Sequence, residues 1–299
     1  MDVDAPSDYE ALRELAFGSG LLVPLGSDGL YARSAAFESV VLGIEHQVDR
    51  LGSVHEPFSV SFPAVVPMEL AVRASVPESF PDLLGIVRPF MDDEPSGAHG
   101  RPDGNANRTR ASLALMSSAC HPLYPLFAGV LPEAGRYANV LGQCFRYEPS
   151  LDPARMLSFR QKELVFLGEV HAVQGQYRAW IRQAQRLLHG LGLDVRTAIG
   201  HDPFFGRSGK LLADIQESKG LKTELVVRLN EGPGSTAIAS CNLHEDHFGR
   251  LFGIETALGS TAHSVCVGFG LERIALALVH RHGPSTQKWP APVRERLEL

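Results

Sequence analysis

The chain has 299 residues, of which 44% are hydrophobic and 21% charged, and its formal net charge is -6. That length buries a substantial core and admits roughly one or two domains of ordinary globular composition. The acidic balance argues against a large nucleic-acid-binding surface, which is normally basic. No stretch reaches the ~18 apolar residues that a membrane-spanning helix needs.

The N-terminus, MDVDAPSDYEALRELAF, is acidic and lacks the apolar centre of a signal peptide, so a cytoplasmic location is expected. Residues 8–17 and 34–51 carry helical spacing. In the second segment Phe37, Val40, Val41, Ile44, Val48 and Leu51 recur at three- and four-residue steps. VSFPAVVP follows, a short β-rich run punctuated by Pro63 and Pro67; a long helix feeding such a strand is a candidate dimer-forming element. The polar, glycine-rich stretch 92–110 reads as a surface loop. Strands are expected near 137–148 and 162–167, then a helix at 172–190 that stops at Gly190. Further strands are expected at 193–198, 222–229 and 236–242, and a last helix begins near Leu271 and runs through IALALVH. Many strands without regular β-α alternation predict an α+β fold with a largely antiparallel sheet flanked by helices.

Two segments carry chemistry. GQCFRYEPSLDPARMLSFRQKE, residues 142–163, puts Phe-Arg-Tyr-Glu on an expected strand, then a turn-rich loop, then Arg155 and Phe159 on an expected return strand. By spacing alone an ordinary charged hairpin is an equal alternative. VCVGFGLERIALAL, residues 265–278, sets Gly268 and Gly270 before a helix whose first turn holds Arg273. A glycine pair of that kind is weak by itself, since many strand–helix turns need glycine, and a lone arginine there could be a surface ion pair.

Read together, the segments resemble motifs 2 and 3 of class II aminoacyl-tRNA synthetases, and residues 34–67 then resemble motif 1, the dimer element. The resemblance implies a single class II catalytic domain over 1–299, acting as a homodimer. It also implies an ATP site in which Arg146 meets the α-phosphate and the reacting carboxylate, and Glu148 helps place the adenine end. Arg155 and Arg273 would hold the γ-phosphate, and Phe159 would stack on the adenine. Arg146 and Arg273 are the implied catalytic residues. Forked guanidinium donors with a permanent charge suit such phosphate oxygens.

The four cysteines, Cys120, Cys144, Cys241 and Cys266, lie far apart with no CxxC pair, so free thiols or metal ligands are expected rather than disulfides. Within class II, the match to zinc-dependent archaeal-type seryl-tRNA synthetases implies Cys120, Glu163 and Cys266 as Zn2+ ligands. Three protein ligands leave a fourth position open, as catalytic zinc sites do. Cys144 and Cys241 have no such support and read as small packed residues. His244 and His247 in HEDHFG do not make HExxH and are read against metal binding.

The resemblance is closer still to the amino acid:[carrier protein] ligases. DGLYARSAAFE, ESFPDLLG, SACHPLYP, CFRYEPSLDPARM, DPFFGRSGK, LKTELVV and NLHEDHFG carry it, from about residue 29 to 278. Only about thirty residues precede the motif 1 helix, with no basic region in place of a tRNA-binding domain, so tRNA is not the expected acceptor. The implied reaction activates glycine or alanine with ATP and Mg2+, then transfers it to the phosphopantetheine thiol of a carrier protein. A sensing paralogue and a minimal tRNA-charging enzyme are the alternatives; retention of Arg146, Arg155 and Arg273 favours catalysis. One departure concerns magnesium. Seryl synthetases have Glu-Ile-Ser-Ser where this chain has Ala237-Ile238-Ala239-Ser240. Either Glu224 contributes in place of that glutamate, beside Ser240, or ATP itself mainly holds the metal.

Overall fold

The computed structural model describes residues 9–88, 113–202, 205–229 and 234–299. The polar 92–110 stretch and residues Pro203 and Phe204 of DPFFGRSGK lie outside them. The chain is helical from Glu10 to Gly18 and then forms a hairpin of β1 (Leu22–Pro24) and β2 (Tyr31–Arg33). Helix α1 (Ala35–Gly52) begins where the Ser34 side chain accepts a hydrogen bond from the Phe37 amide, which satisfies a free helix donor. Its buried face is the apolar stripe read from the sequence, from Phe37 to Val48.

VSFPAVVP is two strands rather than one. β3 (Phe58–Phe62) joins the main sheet, whereas β4 (Val65–Pro67) pairs β6 (Leu113–Leu115), which also pairs β5 (Gly85–Val87), in a separate three-stranded sheet. Pro63 lacks the amide hydrogen that would carry the ladder onward.

The central sheet is built from β7 (Arg136–Phe145), β8 (Ser158–Gly168), β9 (Arg196–Ile199), β10 (Lys222–Val227), β11 (Thr236–Glu245) and β12 (His263–Gly270), with β3 at one edge. Its order is β9-β10-β11-β12-β8-β7-β3. Every pairing is antiparallel except the last, β3 on β7, so the largely antiparallel expectation holds with one parallel edge. One face is covered by α2 (Val170–Gly190) and α5 (Leu271–His282). Helix α2 buries Val173, Tyr177, Trp180, Ala184 and Leu188, a regular apolar stripe. Helix α1 packs on α5, and the C-terminal helix α6 (Ala291–Leu297) packs on α1. Helix α3 (Gly206–Ser218) and helix α4 (His247–Phe252) complete the main elements.

Two further readings of motif 2 need correction. Arg146, Tyr147 and Glu148 lie just past the end of β7, and Arg155 lies in the loop before β8, not on the return strand. The Arg146 amide still reaches Leu157 O at 2.9 Å, but Glu148 N turns back to Arg146 O at 2.9 Å. Pro149 and Pro153 then preclude a continuous ladder. The short strand expected from 193 starts at Arg196, and that expected to 229 ends at Val227.

A buried ionic clamp ties these layers together. Glu272, fully buried, accepts from the Arg160 backbone amide and from Arg160 Nε, both at 2.8 Å, and lies 3.6 Å from Arg33 Nη1. Arg33 and Arg160 also reach Glu38, at 2.6 and 3.0 Å. Helices α1 and α5, strand β8 and the N-terminal hairpin thus meet at one charge cluster. Removing Glu272 leaves two largely buried cations to share Glu38 alone, and breaking a buried pair costs up to about 3–5 kcal/mol. Glu272→Ala is therefore expected to lower the unfolding free energy by about that amount, read as a lower urea midpoint at unchanged slope; a loss below about 1 kcal/mol would show that the clamp relaxes without it.

Candidate active site

The face of the central sheet opposite α2 and α5 lines a cavity of about 390 Å³, within the range of small-molecule sites. Antiparallel register decides which side chains enter it. Glu163 on β8 faces Gly268 on β12; Gly268 faces Ser240 on β11; and Cys266 faces Asn242. Side chains alternate along a strand, so Phe159, Gln161 and Glu163 share this face, as do Cys266, Gly268 and Gly270.

The ligand atoms of Cys120, Glu163 and Cys266 lie within 4.8 Å of one another, and all three residues are buried. Cys120 arrives from a loop, and the neighbouring Ala119 amide donates to Glu163 Oε1 at 3.1 Å. The other carboxylate oxygen, Oε2, is buried with no hydrogen-bond partner. Such a group demands a partner, and two sulfurs beside it make a donor set suited to zinc. Gly268 lies against this carboxyl: a Cβ there would sit in ordinary contact, 3.4 Å from Glu163 Cγ. Burial, then the Cys266 charge, pushes the Glu163 carboxyl up to about 7. Cys266 is held well below the ordinary thiol range, first by a hydrogen bond from Cys120 and then, against burial, by His244 and Asn242; Cys120 keeps the proton and is pushed up.

Around this trio stand groups that the sequence reading passed over or set aside. His244 Nε2 lies 3.6 Å from Cys266 Sγ, and its Nδ1 lies 3.2 Å from Ser264 Oγ and 3.4 Å from the Tyr124 hydroxyl. Asn242 Nδ2 donates to Cys266 Sγ at 3.5 Å and to Ser240 Oγ at 3.2 Å. The period-two run Ser240, Asn242, His244 on β11 was the available signal. His121 follows Cys120 directly and is held neutral, its pKa lowered to about 3 by burial and by His244. His247 sits further out at the rim of the cavity and takes no part in the trio. Cys144 and Cys241 are packed thiols as expected, bonding Gln161 Oε1 at 3.1 Å and Tyr177 O at 3.7 Å.

The opposite end of the cavity is cationic. Arg146 donates through Nε to Ser117 O at 3.0 Å, and its guanidinium lies 5.4 Å from the centre of the Phe159 ring. Arg273 donates to Ala154 O at 2.8 Å and to Ala237 O at 3.1 Å. Its pKa falls to about 10 through burial and then the charges of Arg146 and Arg155, while Glu148 opposes them. Arg155 is half-exposed on the loop, 3.9 Å from Asp152. Glu224 and Ser240 are cross-strand partners that both line the cavity. Lys222 Nζ lies 3.4 Å from Glu224 and 2.7 Å from Asp202. Against the opposing effect of burial, Lys222 and Gln216 hold the Asp202 carboxyl below its usual value.

The chain is similar to two proteins of Bradyrhizobium diazoefficiens, amino acid–[acyl-carrier-protein] ligases 2 and 1. Each is 38% identical, over 99% of this chain and 92% of the relative. No protein-family profile matches. Among solved structures, SerRS of M. kandleri in complex with A. aeolicus tRNASec superposes with a TM-score of 0.78. That match is 19% identical and covers 97% of this chain and 60% of the other. The fold is accordingly that of a class II aminoacyl-tRNA synthetase catalytic domain. Among the described residues no helix is long and apolar enough to cross a membrane.

Because three buried donors converge, metal analysis of the purified protein is expected to find a stoichiometric ion that Cys120→Ala and Cys266→Ala abolish. Cys144→Ala and Cys241→Ala should retain it. Loss in all four variants would point to unfolding and not to ligation.

Proposed function

The chain belongs to the amino acid–[acyl-carrier-protein] ligases, and from that premise we propose that its cavity activates glycine or alanine with ATP and passes it to the phosphopantetheine thiol of a carrier protein. The observation that carries the reading is one cavity with a cationic end and a buried Cys-Glu-Cys end. A triphosphate suits the first, and the α-amino group of an amino acid suits a metal at the second.

In this reading Arg146 touches the α-phosphate and the substrate carboxylate. Arg155 and Arg273 hold the γ-phosphate, Glu148 places the adenine end, and Phe159 stacks on the base once Arg146 leaves its ring. The carboxylate oxygen attacks the α-phosphorus, the α–β phosphoanhydride bond breaks, and pyrophosphate departs with the electron pair. Arg273, already fixed by two carbonyl hydrogen bonds, meets the developing charge without reorganising, and Arg146, anchored through Nε to Ser117 O, joins it on leaving the Phe159 ring. The carrier thiol then gives up its proton to solvent and attacks the activated carbonyl; the bond from that carbonyl carbon to the phosphate oxygen breaks, and AMP leaves with the electron pair as the thioester forms. Cys120, Glu163 and Cys266 hold zinc, with His244 and Asn242 fixing Cys266 from behind. Bound there, zinc supplies a Lewis-acid position for the neutral α-amino group. Glu224 and Ser240, side by side on β10 and β11, are the candidates to reach magnesium. The motif 1 elements, α1 and the edge strand β3, are assigned to pairing with a second copy.

Amino-acid-dependent exchange of pyrophosphate into ATP is the direct test. Exchange is expected with glycine or alanine alone among the twenty amino acids, falling roughly 10²-fold or more in Arg146→Ala. No exchange with any amino acid would overturn the reading. A mass increase on a phosphopantetheinylated carrier, and none on tRNA, is expected for the second step; the reverse would exchange the acceptor.

A further inference from the structure

Residues 10–33 lie outside all three motifs, yet they touch the motif 2 loop at two points. Arg13 Nη1 donates to Leu151 O at 2.8 Å. At the end of the β1–β2 turn, Gly29 O accepts from the Leu157 amide at 2.9 Å, and Leu157 O in turn accepts from the Arg146 amide at 2.9 Å. Two hydrogen bonds in series therefore run from the N-terminal hairpin to the backbone of Arg146. The approach is close. A Cβ at Gly29 would lie 3.0 Å from Arg155 O and 3.0 Å from Leu157 Cγ, and φ there is +81°, where only glycine is at ease. The hairpin holds its own shape: the Gly29 amide bonds the Tyr31 hydroxyl at 3.2 Å, and Tyr31 packs on Phe17 with ring centres 5.1 Å apart. On the inner side the same loop is held by Arg273, through Ala154 O.

The loop that carries Arg146, Glu148 and Arg155 is thus gripped from the cavity by Arg273 and from outside by the hairpin. We infer that the segment 10–33 is a positioning strap for the nucleotide, with Gly29 and Arg13 its two points of purchase on the phosphate-binding loop. This rests on the adenylate-forming reading above. Gly29 touches no substrate; it acts through Leu157 and Arg155.

The turn supplies its own control. Gly26 also has a positive φ, +85°, but a Cβ there meets nothing within 4 Å. Gly26→Ala strains the same turn without pressing on the loop, whereas Gly29→Ala does both. Binding of a non-hydrolysable ATP analogue with Mg2+ to the full chain, measured by calorimetry, reads the difference. Gly29→Ala is expected to weaken binding at least about tenfold, the equivalent of one charge-assisted phosphate contact. Metal content should stay unchanged, and Gly26→Ala should bind as the parent does. Arg13→Ala should weaken binding several-fold and Arg13→Lys, which keeps a donor for Leu151 O, should restore it. Parent-like binding by Gly29→Ala, or equal weakening in Gly26→Ala and Gly29→Ala, would overturn the strap alone. Should Gly29→Ala fail to fold, parent-like binding by Arg13→Ala overturns it. Failure of the parent chain to bind the analogue would overturn the functional reading together with the strap.

Discussion

The site depends first on the register of β8 between β7 and β12. With Glu163 opposite Gly268 and Cys266 two residues from that glycine, carboxylate and thiol share one face. The next strand adds Ser240 and Asn242 in the same rows. A slip of one residue would turn Lys162 and Leu164 into the cavity and send Glu163 and Phe159 into the helical layer. Helix packing on the far side penalises that slip, because Leu164, Phe166, Val265 and Val267 are all buried there. The apolar core thereby enforces the geometry of the polar site.

The second organising feature is charge separation within one cavity. Arg146 and Arg273 line one end, and burial, then the charges of Arg146 and of Arg155 on the half-exposed loop, depress the pKa of Arg273. At the other end a carboxyl and two thiols crowd together, and burial raises Glu163 until it competes with neutral pH for its proton. Neither end is self-satisfied. Cations without enough anions call for a polyanion, and a buried acceptor without a donor calls for a cation. An elongated substrate with phosphates at one end and an amino group at the other fits both.

Arg155 lies 3.9 Å from Asp152, whereas Arg146 and Arg273 are held by backbone carbonyls rather than by acidic side chains. That arrangement fixes direction while leaving the positive charge uncompensated. Acidic partners go instead to Arg33 and Arg160, one layer below, where Glu38 and Glu272 neutralise them. Neighbouring residues Glu272 and Arg273 thus have opposite tasks: one locks α5 to β8 and the other faces the cavity.

Much of this was legible in the sequence. The stripe of α1, the cavity-lining strands and the glycine-punctuated start of α5 follow from local rules, because periodicity and proline act within a few residues. Cys120, Glu163 and Cys266 came from resemblance, since residues 43 and more apart in the chain have no local signature of proximity. The tertiary structure decided what required non-local pairing. Pro63 splits an apparent strand between two sheets, and Arg155 leaves the strand for the loop. His244 joins Cys266 only because β11 pairs β12. The grip of Gly29 on Leu157 arises from a hairpin that meets the motif 2 loop more than a hundred residues later. Composition and spacing determine which elements form and which chemistry is available; register and packing determine which side chains meet.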